Sequence, residues 1–519
     1  MRSLARGFAL GATFALLAST SARSASIVLV PLDDRPVTLQ LPVLLGRIAG
    51  VPVSTPPRML LGRYLRFGAP DRIIAWMNAR APASGAYVLS SDMLAQGGLV
   101  ASRVPGTSYA DAYFRLREFD RLRARYPKAW IGVFGTVTRL APTGVPAIGD
   151  AAQFFAAYPA WTYLQSYANL HDPLLPSERA QAQALRAQIG DTLLDAYLGV
   201  RARNVAIDRL LIDATAHGAI DRLVLGQDDA KPYGLHVPEL AQLNAEIAAS
   251  GAGKRASIEP GADELGMALV AHALARAAKW RPRVEVRYST PDGALFQDPL
   301  EFAPIDTTVD ALIDLCGATR VERDPDVVLF VHVPHSESLD ASFLSALNAE
   351  VESHRSVALA DLSFEESYAV QGAFARQLLE SGVASRIDAY AAWNTAANTV
   401  GTALAEAIAA GAGRRLHTYD ALAHREFTFM RFVDDVDFHV KVRPQLNDWL
   451  DANGTTDHTY LLPGVAAETA DRNRALLWYQ AQTTLEQLYP GMHIAAMDIT
   501  LPWDRTFETA IDARLAPDL

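Results

Sequence analysis

Short apolar runs without alternation recur along the chain, at 26–31 (Ser-Ile-Val-Leu-Val-Pro), 86–89, 130–134, 222–225, 327–331 and 357–360. A strand buried on both faces reads this way, because neither face needs polar positions. Weaker runs of the same kind lie at 51–53, 257–258, 284–288 and 387–390. Between them, the segments 109–126, 177–215, 238–249, 263–278, 308–316, 338–354, 372–380 and 395–410 repeat apolar residues at helical spacing. In 177–215, Leu185, Ile189, Leu193, Leu194, Leu198 and Leu210 fall on one stripe of one long helix or two. Strands separated by helices need crossover connections, which predicts an α/β chain with parallel strands. With this many strands, a closed (β/α) barrel-like domain is the first architecture expected, and two adjoining doubly wound sheets are the alternative.

Beyond residue 434 the pattern changes: 435–450 and 466–488 read as helices and strand runs become few. The expected division is therefore a signal peptide at 1–25, an N-terminal α/β part at 26–280, a further α/β part at 281–425 and a mainly helical region at 426–519. The second α/β part either completes the sheet or forms its own domain. The segment 141–176 is rich in proline and aromatic residues (Tyr158, Trp161, Tyr163, Tyr167) and long for a connection, which favours a site-lining loop.

The first residues have their own pattern. Arg2 and Arg6 precede an apolar stretch from Gly7 to Ala18, and Ala22-Arg23-Ser24 offers small residues at a cleavage position. This is the three-part design of a secretory signal, and it predicts a periplasmic or secreted protein. Its removal takes away three arginines and moves the formal net charge from −11 to −14. So acidic a chain is no nucleic-acid binder, because phosphate neutralisation needs a basic face. No later stretch is apolar for the roughly 18 residues of a membrane span, so no integral membrane segment is expected after cleavage. The single cysteine, Cys316, excludes an intrachain disulfide and a cysteine-based metal cluster. Its apolar helical setting marks it as a core thiol.

The candidate chemistry lies just beyond the strands. After the first comes Pro31-Leu32-Asp33-Asp34-Arg35-Pro36, and after 86–89 comes Ser90-Ser91-Asp92-Met93 with Gly97-Gly98. Arg139 follows 130–134; Gln227-Asp228-Asp229-Ala230 and Tyr233 follow 222–225. Gly261-Ala262-Asp263-Glu264 follows 257–258, and Trp393-Asn394 with Asn398 follows 387–390. Parallel strands bring the loops after them to one rim, where α/β folds place their sites. Helix capping accounts for single acids such as Asp92 or Asp263. It accounts less well for the adjacent pairs Asp33-Asp34 and Asp228-Asp229, since burying like charges is costly unless they are paired or used.

Adjacent carboxylates push each other's pKa values apart, so that one keeps a proton while the other ionises. That is the equipment of glycoside hydrolysis. Neighbours on an extended chain face opposite ways, so Asp228 and Asp229 suit a substrate-assisted reaction better than a facing pair. In that reaction one carboxylate orients a 2-acetamido group and the next protonates the leaving oxygen. Asp33, Asp34, Arg35, Asp92, Arg139, Gln227, Tyr233, Asp263, Glu264, Trp393, Asn394 and Asn398 are the candidate substrate binders. Carboxylates and amides without cysteine also suit Mg²⁺ or Ca²⁺. His332-Val333-Pro334-His335 offers two imidazoles, although Pro334 bars a regular strand or helix between them. No phosphate-binding glycine loop, dinucleotide fingerprint or Gly-x-Ser-x-Gly elbow is present. No cofactor and no metal ligand is assigned on this reading. The reading is a glycoside hydrolase-like enzyme with a carbohydrate partner. The alternatives are a metal-dependent hydrolase of envelope esters or amides and a non-catalytic carbohydrate-binding protein.

Taken together, Pro31–Pro36, Ser90-Ser91-Asp92-Met93-Leu94 through Gly97-Gly98-Leu99-Val100-Ala101-Ser102-Arg103, Gln227–Ala230, Gly261–Glu264 and Trp393-Asn394-Thr395-Ala396-Ala397-Asn398-Thr399 resemble a widespread bacterial family of unknown function. The resemblance runs from Ile27 to beyond Arg431 and implies no particular reaction. Asp228-Asp229 is also similar to the adjacent-Asp motif of barrel β-N-acetylglucosaminidases, and Gly261–Glu264 looks like the Gly-Asp-Glu motif of hexosaminidases. Only one of these motifs can be the catalytic pair of a single barrel. The first resemblance implies Asp228 as the acetamido-orienting carboxylate and Asp229 as the general acid.

Overall fold

A computed structural model describes residues 25–80, 85–141, 175–230, 234–335, 340–363 and 372–518. The expected signal segment, the 141–176 aromatics and Tyr233 lie outside the described residues. Six strands make one all-parallel sheet: β1 (Ile27–Val30), β2 (Val53–Ser54), β3 (Ala86–Ser90), β4 (Trp130–Val137), β5 (Arg222–Gln227) and β6 (Ala256–Pro260). Their order is β2-β1-β3-β4-β5-β6. Five more make a second all-parallel sheet: β7 (Arg283–Tyr288), β8 (Thr319–Arg320), β9 (Val327–His332), β10 (Ser356–Asp361) and β11 (Ala389–Ala391). Their order is β11-β10-β9-β7-β8. Each order reverses once, between β1 and β3 and between β7 and β9, so each sheet is doubly wound with its own switch point.

The α/β class expected from the sequence is therefore what the chain forms, in the architecture named as the alternative. The closed barrel does not form. β2 and β6 remain edges of the first sheet, and the chain after β6 begins the second sheet instead of returning to β1. A barrel interior and a helix-covered sheet face demand the same apolar strand runs, so periodicity alone does not separate them. Alternate residues show which face is which. Val28 and Val30 join Tyr87, Leu89, Ile131 and Val133 beneath the outer helices. Ile27, Leu29 and Val88 turn into a larger core that continues through to Val327–Val331 of the second sheet.

Helices form the layer between the sheets. Leu41–Ala49 and Leu265–Ala277 cover the first sheet, and Ala396–Leu416 packs on both of them and on β9, β10 and β11. That last helix is buried along most of its length, and most of its buried residues are Ala, Gly or Thr. Small residues let it approach closely: a Cβ on Gly413 would lie 2.9 Å from the Ala49 Cα and 3.0 Å from the Ile48 carbonyl.

The C-terminal region begins with helix Ala421–Phe432, continues through a π-helical stretch Val433–Val442, and adds helices Arg443–Ala452 and Pro463–Leu488. It ends in an antiparallel hairpin, β12 (Met492–Thr500) with β13 (Ala510–Pro517), which the helical expectation did not include. Residues in β13 alternate buried and exposed, as a half-buried strand should. No helix among the described residues is long and apolar enough to cross a membrane.

The helix layer sets the first test. Gly413→Ala presses a methyl group onto fixed backbone and should cost about 1–3 kcal/mol in urea unfolding. Gly199→Ala, at an exposed helical position with open space around it, should instead add roughly 0.5–1 kcal/mol.

Candidate functional site

The loops at the carboxyl ends of the first sheet enclose a cavity of about 530 Å³. β1 leads into Asp33, whose carboxylate accepts from the backbone N–H of Arg35 (3.0 Å) and from Thr38 Oγ1 (2.7 Å), fixing the turn. The Arg35 guanidinium lies between two carboxylates. It donates to Asp33 Oδ2 through Nε (2.9 Å) and Nη2 (2.8 Å), and to Asp263, beyond β6, through Nη1 (2.8 Å) and Nη2 (2.5 Å). Three strands separate β1 from β6, so this one side chain joins the two sides of the rim.

β5 ends at Gln227, which is buried and donates to the Asp228 carbonyl (2.8 Å). The next two carboxylates each have an arginine. Asp228 is buried and ion-paired with Arg103, which lies just beyond the short helix Leu99–Ser102. Asp229 accepts from Arg139 Nη1 at 2.8 Å, and its side chain is 37% exposed. Burial pushes the Asp228 carboxyl up, and the neighbouring Asp229 charge adds to this, while Arg103 opposes it. The backbone at Asp229 has a φ of 20°, outside the ordinary regions for an L residue, and such positions cluster at functional sites.

The second sheet supplies another wall. After β11, Asn394 adopts the left-handed conformation (φ 59°) that asparagine tolerates. Its amide donates to Asn398 Oδ1 (2.7 Å), and Asn398 Nδ2 donates to Glu264 Oε2 (2.6 Å). Glu264 is fully buried, its Oε1 has no hydrogen-bond partner among the described residues, and burial pushes its carboxyl up to about 8. Gly261 makes this possible: its φ is 90°, and a Cβ there would meet Glu264 Oε1. The N-terminus of helix Ala396–Leu416 is satisfied by two acids. Asp298 accepts from the Ala396 N–H (3.0 Å), and Glu301, pushed up to about 8 by burial, accepts from the Ala397 N–H (2.5 Å).

The C-terminal hairpin closes the cavity with its 501–509 loop. Trp503 Nε1 donates to Asp34 Oδ1 (2.8 Å), and its ring is stacked on Tyr64 with centroids 5.0 Å apart. Arg505 lies against Trp503 (4.4 Å), Phe507 (4.8 Å) and Tyr64 (5.5 Å), with Glu508 as its carboxylate partner at 2.7 Å.

Of the residues singled out in the sequence, Arg35, Arg139, Gln227, Asp228, Asp229, Asp263, Asn394 and Asn398 line this cavity. Five do not. Asp33 sits behind Arg35. Asp34 is turned toward Trp503 and Arg58. Asp92 is buried against Thr136 (3.0 Å) and pushed up to about 6 by burial. Glu264 lies one side chain behind Asn398. Trp393 is a core residue whose Nε1 donates to Thr402 (3.1 Å), so it offers no sugar platform. Sequence reasoning missed Arg103, Glu301, Tyr64 and the Trp503–Phe507 loop as site residues. Arg103 closes the Gly97–Arg103 motif, and Trp, Arg and Phe crowd into 502–508, but the helical reading of that region hid the loop.

The family model for "Protein of unknown function (DUF4127)" matches residues 27–512. The chain belongs to this family. The match takes in all the cavity residues, from Arg35 to Phe507, so the whole site falls within the family's extent. No curated protein and no solved structure matches the chain.

The buried carboxyls give a pH test. Glu264 has an ordinary value of 4.5 and a folded value of about 8, so the native chain holds a proton there that the unfolded chain has lost. Native stability therefore falls as pH rises from about 4.5 to about 8, and the loss is complete above that. Glu264→Gln should flatten this slope, seen as urea midpoints measured at about pH 5 and about pH 9.

Proposed function

We propose that the protein hydrolyses glycosidic bonds and that the cavity between the two sheets is where it does so. The observation that carries this reading is the Asp228–Asp229 pair at the cavity wall, each member held by its own arginine. Burial and the neighbouring Asp229 charge push the Asp228 carboxyl up, which favours a proton at this place in the wall. A departing glycosidic oxygen needs a proton. Asp229, the more exposed of the two, is the member placed to deliver it. Asp228, buried and fixed by Arg103, is the positioning carboxylate.

The lining supports a polyhydroxylated ligand. Gln227, Thr395, Asn394 and Asn398 offer amides and a hydroxyl, and the volume falls in the roughly 300–1,000 Å³ range of small-molecule sites. For an N-acetylated amino sugar, the acetamido oxygen would attack the anomeric carbon as the C–O bond to the leaving group breaks and Asp229 gives up its proton. Water would then open the cyclic intermediate and return a proton to Asp229.

The test is turnover of a panel of aryl glycosides and envelope glycans by the full chain. Asp229→Asn should lower kcat/KM by about 10²–10⁴ with little change in the thermal midpoint. Asp228→Asn should lower it comparably. Cleavage that survives both substitutions, or no cleavage across the panel, overturns the reading.

A further inference from the structure

The second sheet carries a different cluster at its own carboxyl edge. β9 ends on His332, which in the parallel register lies beside Asp361, the last residue of β10. Pro334 ends the strand and turns the chain, so that the His335 ring stands edge-on to His332 with centroids 4.9 Å apart. Helix Asp340–Glu352 opens with Asp340 against both rings. The spacing that looked unpromising across a proline is therefore brought together by the turn that the proline makes.

The hydrogen bonds fix where the protons are. His335 Nδ1 lies 2.5 Å from the Val333 carbonyl oxygen, which can only accept, so Nδ1 carries the hydrogen. His332 Nδ1 lies 2.7 Å from Asp361 Oδ1, an oxygen that also accepts from Ser363 N–H (3.2 Å) and Oγ (2.6 Å). It too is a donor. In the neutral rings both Nε2 atoms are then lone pairs, and both face one carboxylate oxygen: Asp340 Oδ1 is 3.2 Å from His332 Nε2 and 2.9 Å from His335 Nε2. His335 Nε2 is buried and makes no hydrogen bond among the described residues. Three acceptors in contact repel unless a positive charge lies among them.

One proton on His332 Nε2 supplies that charge for one contact only, as an imidazolium between Asp340 and Asp361, and leaves the His335 Nε2 lone pair against the same oxygen. A second proton would place two imidazolium rings side by side, with His332 stacked on Phe374 (4.0 Å) and Phe343 (5.5 Å). A divalent ion does it with both rings neutral. Ligands about 2.0–2.1 Å from a tetrahedral Zn²⁺ stand ~3.3 Å from one another, close to the 3.2 and 2.9 Å that separate Asp340 Oδ1 from the two Nε2 atoms. The three ligand atoms all lie within 4.8 Å of one another. Behind each ring is the partner that metal-bound histidines keep: a carboxylate, Asp361, for His332 and a carbonyl, Val333, for His335.

We propose that His332 Nε2, His335 Nε2 and Asp340 bind one divalent transition-metal ion of the zinc class. Two imidazoles with one carboxylate favour such an ion over Mg²⁺ or Ca²⁺. Three protein ligands leave a tetrahedral ion one position for water or a further ligand. The place fits, since β9 flanks the switch point of the second sheet. The proposal is independent of the carbohydrate reading, which concerns other residues.

The experiment uses the full chain, stripped with a chelator and titrated with Co²⁺ and then Zn²⁺. The expected result is about one equivalent of Co²⁺ per chain with the intense visible bands of a four-coordinate ion, which Zn²⁺ displaces. The His335→Ala/Asp340→Asn double variant should lose the bands, and Asp361→Asn should keep them at 10–100-fold lower affinity. A stripped wild-type chain that takes up neither ion overturns the proposal and assigns the gap to protons. Equal uptake by the wild type and a folded double variant overturns it as well. Should the double variant not fold, His335→Gln takes its place, and the wild-type titration decides by itself whether an ion binds.

Discussion

The Arg35 guanidinium, fully paired between Asp33 and Asp263, is the contact on which the candidate site depends. It is buried, it reaches from the loop after β1 to the loop after β6, and it lies 5.0 Å from the Trp503 ring. Removing one partner of such a pair leaves an uncompensated buried charge, which costs about 3–5 kcal/mol. Here it would leave two, because Asp33 and Asp263 share the same cation. The planar fork matters as much as the charge: five of its hydrogen bonds go to carboxylate oxygens in directions that a lysine ammonium does not reproduce. Asp34, the next residue along, ties the C-terminal loop to the same turn through Trp503. The turn after β1 thus orders both the rim and its cover.

So many acids around one cavity would be unstable if all were ionised. Two physical devices reduce that charge. Arginines pair with Asp228, Asp229 and Asp263, and burial keeps protons on Glu264 and Glu301, both raised to about 8. The protonated acids sit behind the cavity or at the helix N-terminus, where they accept hydrogen bonds without adding a full negative charge. At the cavity wall Arg103 and Arg139 offset the charge of the adjacent acids, and burial pushes the Asp228 carboxyl up beside Asp229.

The strands were legible because each strong apolar run became a strand, from 26–31 to 357–360, and the weak runs at 51–53, 257–258, 284–288 and 387–390 fell on β2, β6, β7 and β11. The two-residue β8 has no pattern to read, and β12 and β13 are half-exposed and rich in alanine, which kept them from standing out. The rim was legible for a topological reason: in a parallel sheet every strand ends at the same edge, so the loops beyond the strands must meet there. Orientation was not legible. Asp34 and Asp229 occupy equivalent places in their acid pairs, yet one is bonded to an indole and the other borders the cavity. That difference comes from a loop more than four hundred residues further along the chain. Trp393 shows the same limit, since a tryptophan beside two site asparagines reads as a binding platform until the helix that buries it is in place.

The separation of labour between the sheets comes from these contacts. The first sheet provides acids and arginines, but its rim is open on the side facing the second sheet. β11 delivers Asn394 and Asn398 to that side, and their amides run on to Glu264 beneath the first sheet. The connection between the sheets adds Asp298 and Glu301 at the N-terminus of the same helix, while Ala230 N–H donates to the Leu300 carbonyl at 2.8 Å. A shift of one sheet against the other would therefore break a continuous row of buried hydrogen bonds, each expensive to leave unmade. The small residues of helix Ala396–Leu416 serve the same end, because only close helix contacts hold the two rims at the distance these bonds require. The cavity belongs to neither sheet alone, and the packing of the helix layer sets its width.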